Sequence, residues 1–133
     1  MRLYISAALA GLFLLLTVPV WAHHAAGNFW YIDRTVQIKG LVKSLKMVNP
    51  HPERVIEVTE ANGEKSLWRV GYGGNASAWI RRGWKSSTLP AGTAVTVEGN
   101  PSRTEGAKAL LLEGGKIVKA DGTVMDFSEA PKN

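Results

Sequence analysis

Three histidines are the residues of this sequence whose type and spacing could do chemistry. His23 and His24 follow a long apolar run, and His51 lies between two prolines. If a protease cuts the chain after Ala22, His23 supplies both a free amine and an imidazole, and these two nitrogens can chelate one metal ion. The amine has a pKa near ~7.7–8, so it is partly deprotonated at neutral pH, as a ligand must be. The sequence therefore predicts a metal site, with copper as the first candidate.

His51 is the predicted third ligand of this site. Its addition would give a T-shaped set of nitrogens resembling the histidine brace of copper proteins. This interpretation requires His51 to lie within reach of residue 23, and a fold that holds them at opposite ends would argue against it. The alternative is that His23 and His24 extend into solvent, while His51 makes a hydrogen bond within its own turn.

A second candidate site consists of aromatic and basic residues near a predicted helix. Trp68, Tyr72 and Arg82 are its members, and aromatic stacking is a common way for open β-barrels to bind ligands. This groove would bind a protein or a glycan without any metal, and it requires Trp68 and Tyr72 to be exposed together on one face. Trp79 is instead expected in the core, because its spacing places it on the apolar face of the helix.

The residue types do not indicate an enzyme. The sequence has no cysteine, and no serine, histidine and aspartate occur in a context typical of nucleophilic catalysis. An oxidative reaction of copper at the amino terminus stays an open alternative. The expectation is a non-enzymatic binding domain, with copper or no cofactor.

Residues 1–22 have the pattern of a secretory signal peptide. A positively charged start is followed by an uncharged, almost wholly apolar stretch over residues 3–18, and Val20-Trp21-Ala22 forms the predicted cleavage site. The apolar stretch is shorter than the roughly 20 residues that span a bilayer, so an uncleaved anchor is the less favoured alternative. We therefore expect a periplasmic or secreted protein without stable membrane insertion. Its partner would be an unknown protein or small ligand and not a nucleic acid.

The rest of the chain predicts one small β domain. Residues 23–34 form a lead-in segment, residues 35–127 the domain, and residues 128–133 a frayed tail. Alternating apolar residues indicate three strands, a short helix and two further strands. This order, with a long glycine-bent first strand, favours a five-stranded Greek-key barrel of the oligonucleotide/oligosaccharide-binding (OB) type. A small antiparallel β-sandwich is the alternative.

Local signals place the bends and turns of the strands. The apolar phase shifts after Gly40, so we expect a bulge there and Leu41 in the core. Asn62-Gly63 predicts a type I′ hairpin turn, which requires positive φ at both residues.

The short helix has signals at both ends. Asn75 is the predicted N-cap, and Gly83 is the predicted residue that ends the helix. Ala76, Trp79 and Ile80 have the spacing of one apolar helix face. The helix is expected to close one end of the barrel.

Five short motifs follow one another along the chain. They are Ala22-His23-His24-Ala25, Asn49-Pro50-His51, Arg82-Gly83-Trp84, the stretch over residues 89–99, and Ala120-Asp121-Gly122. Their order and spacing resemble a family of small exported bacterial proteins of unknown function, whose members begin Ala-His-His-Ser and carry Trp-Thr-Asn-Pro-His. Here Ala25 replaces the serine, Met47-Val48 replaces Trp-Thr, and Thr93 replaces an aspartate. The resemblance implies export and an OB-like barrel, but no chemistry.

Overall fold

A computed structural model describes residues 26–72, 74–127 and 129–131. The predicted signal peptide, His23 and His24 lie outside these ranges. The strands are β1 (Val36–Lys46), β2 (Glu53–Thr59), β3 (Lys65–Gly71), β4 (Ala94–Pro101), β5 (Ala109–Lys119) and β6 (Val124–Met125). The helices are α1 (Ala26–Phe29), α2 (Ala76–Arg81) and a 3₁₀ turn (Ser86–Thr88).

The strand pairing closes a five-stranded barrel. Strand β1 pairs antiparallel with both β2 and β4, β2 pairs with β3, and β4 pairs with β5. A parallel pairing of β3 with β5 closes the barrel, and β6 adds to the free side of β5. This connectivity, with a helix between β3 and β4, is OB-like. The predicted barrel is thus confirmed, and the sandwich alternative is wrong because the sheet closes on itself.

The barrel has two distinct ends. The helical end carries α2, the connection between β1 and β2, and the end of β5. The amino-terminal end carries α1, the hairpin between β2 and β3, and the connection between β4 and β5. Strand β1 runs from the amino-terminal end to the helical end, because Val36 pairs with Gly99 at the end of β4 and Lys46 pairs with Glu53 at the start of β2.

The phase shift of β1 occurs later than predicted. Val42 is buried, whereas Leu41 is 46% exposed, so the expectation that Leu41 faces the core is wrong. The register shifts between Val42 and Ser44 instead of at Gly40. Gly40 has another role, since a β-carbon there would overlap the carbonyl oxygen of Glu57 on β2. The glycine allows two backbones to approach closely, which a sequence pattern cannot distinguish from a bulge.

The hairpin between β2 and β3 is confirmed, but its turn type is not. Only glycines have positive φ among the described residues, so Asn62 does not adopt the φ of a type I′ turn, whereas Gly63 has a φ of 85°. The N–H of Gly63 donates to the Glu60 carbonyl at 2.9 Å, and the Asn62 side-chain oxygen accepts from the N–H of Glu64 at 3.0 Å. Asn62 therefore supports the turn with its side chain.

Helix α2 begins and ends as predicted. The Asn75 side chain accepts a hydrogen bond from the N–H of Ala78 at 2.7 Å, and Gly83 has a φ of 96° after the last turn. Trp79 is fully buried, but Ile80 is 54% exposed, so its assignment to the apolar face is wrong. The helix has only six residues, and its buried residues are Ala76 and Trp79. Ile80 is rotated by about 100° from Trp79 about the helix axis, so it points away from the buried side.

Candidate functional site

His51 lies at the helical end and is exposed. Its Nδ1 is 3.1 Å from the carbonyl oxygen of Gly74. A carbonyl can only accept, so Nδ1 carries the hydrogen, and Nε2 is the nitrogen that has a lone pair when the imidazole is neutral. The neighbouring Pro50 carbonyl accepts from the N–H of Ala76 at 3.3 Å. The hydrogen bond of His51 thus differs from the one within its own turn that the alternative interpretation gave, and two bonds attach the turn to the residues around the start of α2.

The lead-in segment is attached at the opposite end of the barrel. The Arg103 side chain donates to the Gly27 carbonyl at 2.7 Å, and the N–H of Tyr31 donates to the Pro101 carbonyl at 2.9 Å. The three steps along the chain from His23 to Ala26 cover roughly 11 Å at most, whereas the length of β1 corresponds to about 33 Å of strand. One chain is therefore not expected to bring His23 to His51.

The described part of the chain holds no cluster of three or more metal-ligating side chains. No set of three or more histidine, cysteine, aspartate or glutamate side chains close enough to share a metal ion occurs in residues 26–72, 74–127 and 129–131. The predicted ligands His23 and His24 lie outside those ranges.

The predicted groove of Trp68, Tyr72 and Arg82 is not formed as expected. Trp68 and Tyr72 occupy the same face of the β3 segment, but both are half-buried and pack against the core. The Lys108 ammonium lies 5.3 Å from the centre of the Trp68 ring, and Tyr72 instead packs its ring 5.2 Å from that of Trp79. Arg82 is exposed beyond the end of α2. The condition that both aromatic rings be exposed together is not met.

Tyr72 lines a different groove, formed with β5 and the segment that follows it. This groove, called the Tyr72 groove below, has a volume of about 260 Å³. Its lining combines two aromatic rings with apolar and charged side chains. The residues are Tyr72, Leu112, Gly115, Lys116, Val124, Met125, Asp126 and Phe127. Lys116 thus supplies the positive charge that the sequence interpretation gave to Arg82.

A buried arginine lies behind the rings of this groove. Arg54 is 0% exposed, and its guanidinium carbon lies 4.4 Å from the Trp79 ring centre and 4.2 Å from that of Phe127. Contacts of this kind between a cation and aromatic faces are attractive. Burial lowers the pKa of Arg54 to about 9, and its electrostatic interaction with Tyr72 acts in the opposite direction.

Sequence reasoning missed Arg54, Lys116 and Phe127. Arg54 shares its strand face with the buried Ile56 and Val58, so the alternation did contain a signal for it. Lys116 and Phe127 line one groove with Tyr72 only through the folding of distant segments, and no local pattern indicates such a grouping.

These features define a small β-barrel domain of the OB type, with one end closed by a helix and an aromatic cluster. The chain belongs to a family described as a family of unknown function, DUF6152, whose family model matches residues 12–111. The match runs from before the described residues into β5. The predicted membership in a family without an established activity is thereby confirmed. No curated protein and no solved structure matches the chain.

The helices of residues 26–72, 74–127 and 129–131 are all short. None of them has the length and hydropathy that a membrane span needs.

Proposed function

We propose that the protein is an exported, non-enzymatic binding domain whose ligand occupies the Tyr72 groove. The observation that carries this proposal is the groove itself, with two aromatic rings, apolar walls and a lysine around about 260 Å³. Ligand sites are concave and mostly apolar, with a few polar groups that fix the orientation of the ligand. The volume suits a single ring, and we assign the ligand as one sugar unit of a glycan.

The Tyr72 ring is expected to carry the largest part of this binding. Its edge-on packing against Trp79 and its contact with Phe127, at 5.2 and 6.1 Å between ring centres, hold it in one orientation. Stacking of a nucleic-acid base on an aromatic side chain is worth on the order of 1–3 kcal/mol, and we expect a contribution in the lower part of this range for a sugar on Tyr72. The ammonium of Lys116, half-exposed and 3.9 Å from Glu98, would provide a hydrogen-bond donor at the rim.

Tyr72→Ala is expected to weaken sugar binding by about tenfold or more. Two-dimensional NMR titration with glucose, N-acetylglucosamine and their disaccharides measures this, and peak shifts should map to the residues of the groove. Arg82→Ala is the matched control, because Arg82 is exposed and does not line the groove.

Lys116→Ala is a second variant of the same groove and should also weaken sugar binding. Because Lys116 is exposed, this variant is expected to fold even if Tyr72→Ala does not. Shifts confined to Trp68 and Arg82 would favour the groove first predicted from the sequence. Shifts with peptides but with no sugar would reject the glycan assignment.

A second candidate function is copper binding, and the orientation of His51 favours it. Metal-ligating histidines usually donate one ring N–H to a carbonyl or carboxylate and bind the metal through the other nitrogen. His51 has this arrangement, with Gly74 as the acceptor. Because the lead-in segment is attached at the other end of the barrel, we propose that the amine and imidazole of His23, with His24, come from a second copy of the chain. Copper would then join two copies head to tail.

Copper is expected to raise the molar mass of the exported protein in solution, and His51→Ala should abolish this increase. Size-exclusion chromatography with light scattering measures it, after mass spectrometry has shown that the chain begins at His23. Asn49→Ala is the matched control, since it changes the same exposed turn without removing an imidazole. Copper binding that depends on His51 while the protein stays monomeric would show a single-chain site, and a chain that begins beyond residue 24 would remove the proposal.

A further inference from the structure

Arg54 is a buried cation for which the described residues offer no carboxylate partner. It is 0% exposed, and none of the ion pairs among residues 26–72, 74–127 and 129–131 includes it. The rings of Trp79 and Phe127 compensate part of its charge. Burial of a guanidinium without an anion is costly, so an anion that reaches this group would be bound by an uncompensated charge.

One edge of the Arg54 guanidinium has no hydrogen-bond acceptor. Its Nη1 donates to the Val70 carbonyl at 3.3 Å. Its Nε and Nη2 are both buried and meet no acceptor among the described residues. These two N–H groups point the same way from one edge of the planar group, and this fork matches the two oxygens of a carboxylate.

A third donor lies next to this edge. The indole Nε1 of Trp79 is also buried without an acceptor in the described part of the chain. The Arg54 guanidinium lies against the Trp79 ring, so the donors belong to groups in direct contact. A β-carbon on Gly74 would lie 2.8 Å from this Nε1 and 3.4 Å from the Tyr72 ring. The glycine therefore keeps the space in front of the indole N–H clear.

We propose that Arg54 and Trp79 form a binding site for the carboxylate group of a small organic acid, which enters beside Gly74. The two carboxylate oxygens accept from Nε and Nη2 of Arg54, and one of them also accepts from the Trp79 indole. A carboxylate fits better than a phosphate because it is flat and its charge is matched by one guanidinium. Because Arg54 is fully buried, we assign the ligand as a small acid and not as a macromolecule. The site shares the Tyr72 and Phe127 rings with the Tyr72 groove, but its donors are not part of the groove lining, and it does not depend on the proposed sugar.

The test is an NMR titration with sodium acetate, with sodium chloride as the reference at equal ionic strength. The Arg54 Nε–H and Trp79 Nε1–H signals should shift in a saturable way with acetate and not with chloride. Gly74→Ala is expected to weaken this binding by about tenfold or more, because the added methyl group takes the space in front of the indole nitrogen. Gly71→Ala is the matched control, since its β-carbon would approach nothing closer than the Leu110 carbonyl, at 3.9 Å, and acetate binding should be unchanged.

Arg54→Lys provides a second test, because it keeps the charge and removes the fork, so acetate binding should be lost. If that variant does not fold, the pair of glycine variants still decides the matter. Equal shifts with chloride, or equal binding by Gly74→Ala and the unaltered protein, would overturn the proposal. Tighter binding of inorganic phosphate than of acetate would overturn the carboxylate assignment.

Discussion

Replacing Gly40 with alanine is expected to lower the free energy of unfolding by roughly 3 kcal/mol, the upper part of the range for atoms forced into a packed site. A β-carbon at this position would overlap the carbonyl oxygen of Glu57 and lie 2.9 Å from the Ile56 side chain. The obstacle is the backbone of β2, which cannot rotate away as a flexible side chain can. Strands β1 and β2 would have to separate where they are paired. Urea unfolding followed by circular dichroism measures the loss.

Gly71→Ala is the control for this substitution. Both glycines lie in strands without positive φ, but a β-carbon on Gly71 would be in ordinary contact with its nearest neighbour, 3.9 Å away. Its effect should stay within about 0.5 kcal/mol, as for most substitutions that create no clash or cavity. Equal losses in the two variants would mean that the cost comes from the alanine itself and not from the approach of β2.

Trp79→Ala is expected to destabilise the protein by about 4 kcal/mol, the usual cost of removing a buried tryptophan. The side chain is fully buried. Its ring centre lies 4.5 Å from that of Phe127 and 6.0 Å from that of Trp84, and its face contacts the Arg54 guanidinium. The substitution therefore opens a cavity at the helical end and removes one of the rings that stabilise the buried charge. Thermal and urea unfolding both report it.

Ile80→Ala is the control within the same helix. Ile80 follows Trp79 directly and is 54% exposed, so its truncation should change stability by less than about 0.5 kcal/mol. A loss comparable to that of Trp79→Ala would contradict the placement of Ile80 on the outer side of α2. The pair also checks the position at which the sequence interpretation of this helix was wrong.

The barrel could be predicted because each strand carries its own alternation. Ile56 and Val58 on β2, and Val95 and Val97 on β4, are buried as their spacing indicates. The order of strands and helix then left few topologies to consider. The cap at Asn75 was also predictable from local sequence, because a cap contacts residues only a few positions away.

The incorrect predictions share a different cause, which is contact with residues that are distant in sequence. Gly40 was interpreted as a bulge because both a bulge and a close backbone approach favour glycine. Only the position of Glu57, on the neighbouring strand, distinguishes them. Arg54 was assigned no role because a charged side chain in an alternating strand is normally solvated. Its burial depends on rings from α2 and from the chain after β6.

The candidate site was less predictable than the fold. The hydrogen bond of His51 joins it to Gly74, which is 23 residues away in sequence. The predicted joint use of His23 and His51 stays a prediction, and it has to be weighed against β1, which carries the chain from the end of the barrel where the lead-in segment is attached to the end where His51 lies. The residue types in a sequence indicate which chemistry is available. The direction of a long strand decides which of those residues lie close together.

The pairing of β3 with β5 has a consequence for where the wall of the barrel opens. It joins Arg69, Val70 and Gly71 to residues 109–111, so it has three residue pairs, whereas each antiparallel pairing of the barrel has five or six. Fewer paired residues mean fewer backbone hydrogen bonds to break, so we expect this seam to separate at a lower free energy than the other four. The buried Arg54 lies beside the seam, because its guanidinium donates to the Val70 carbonyl.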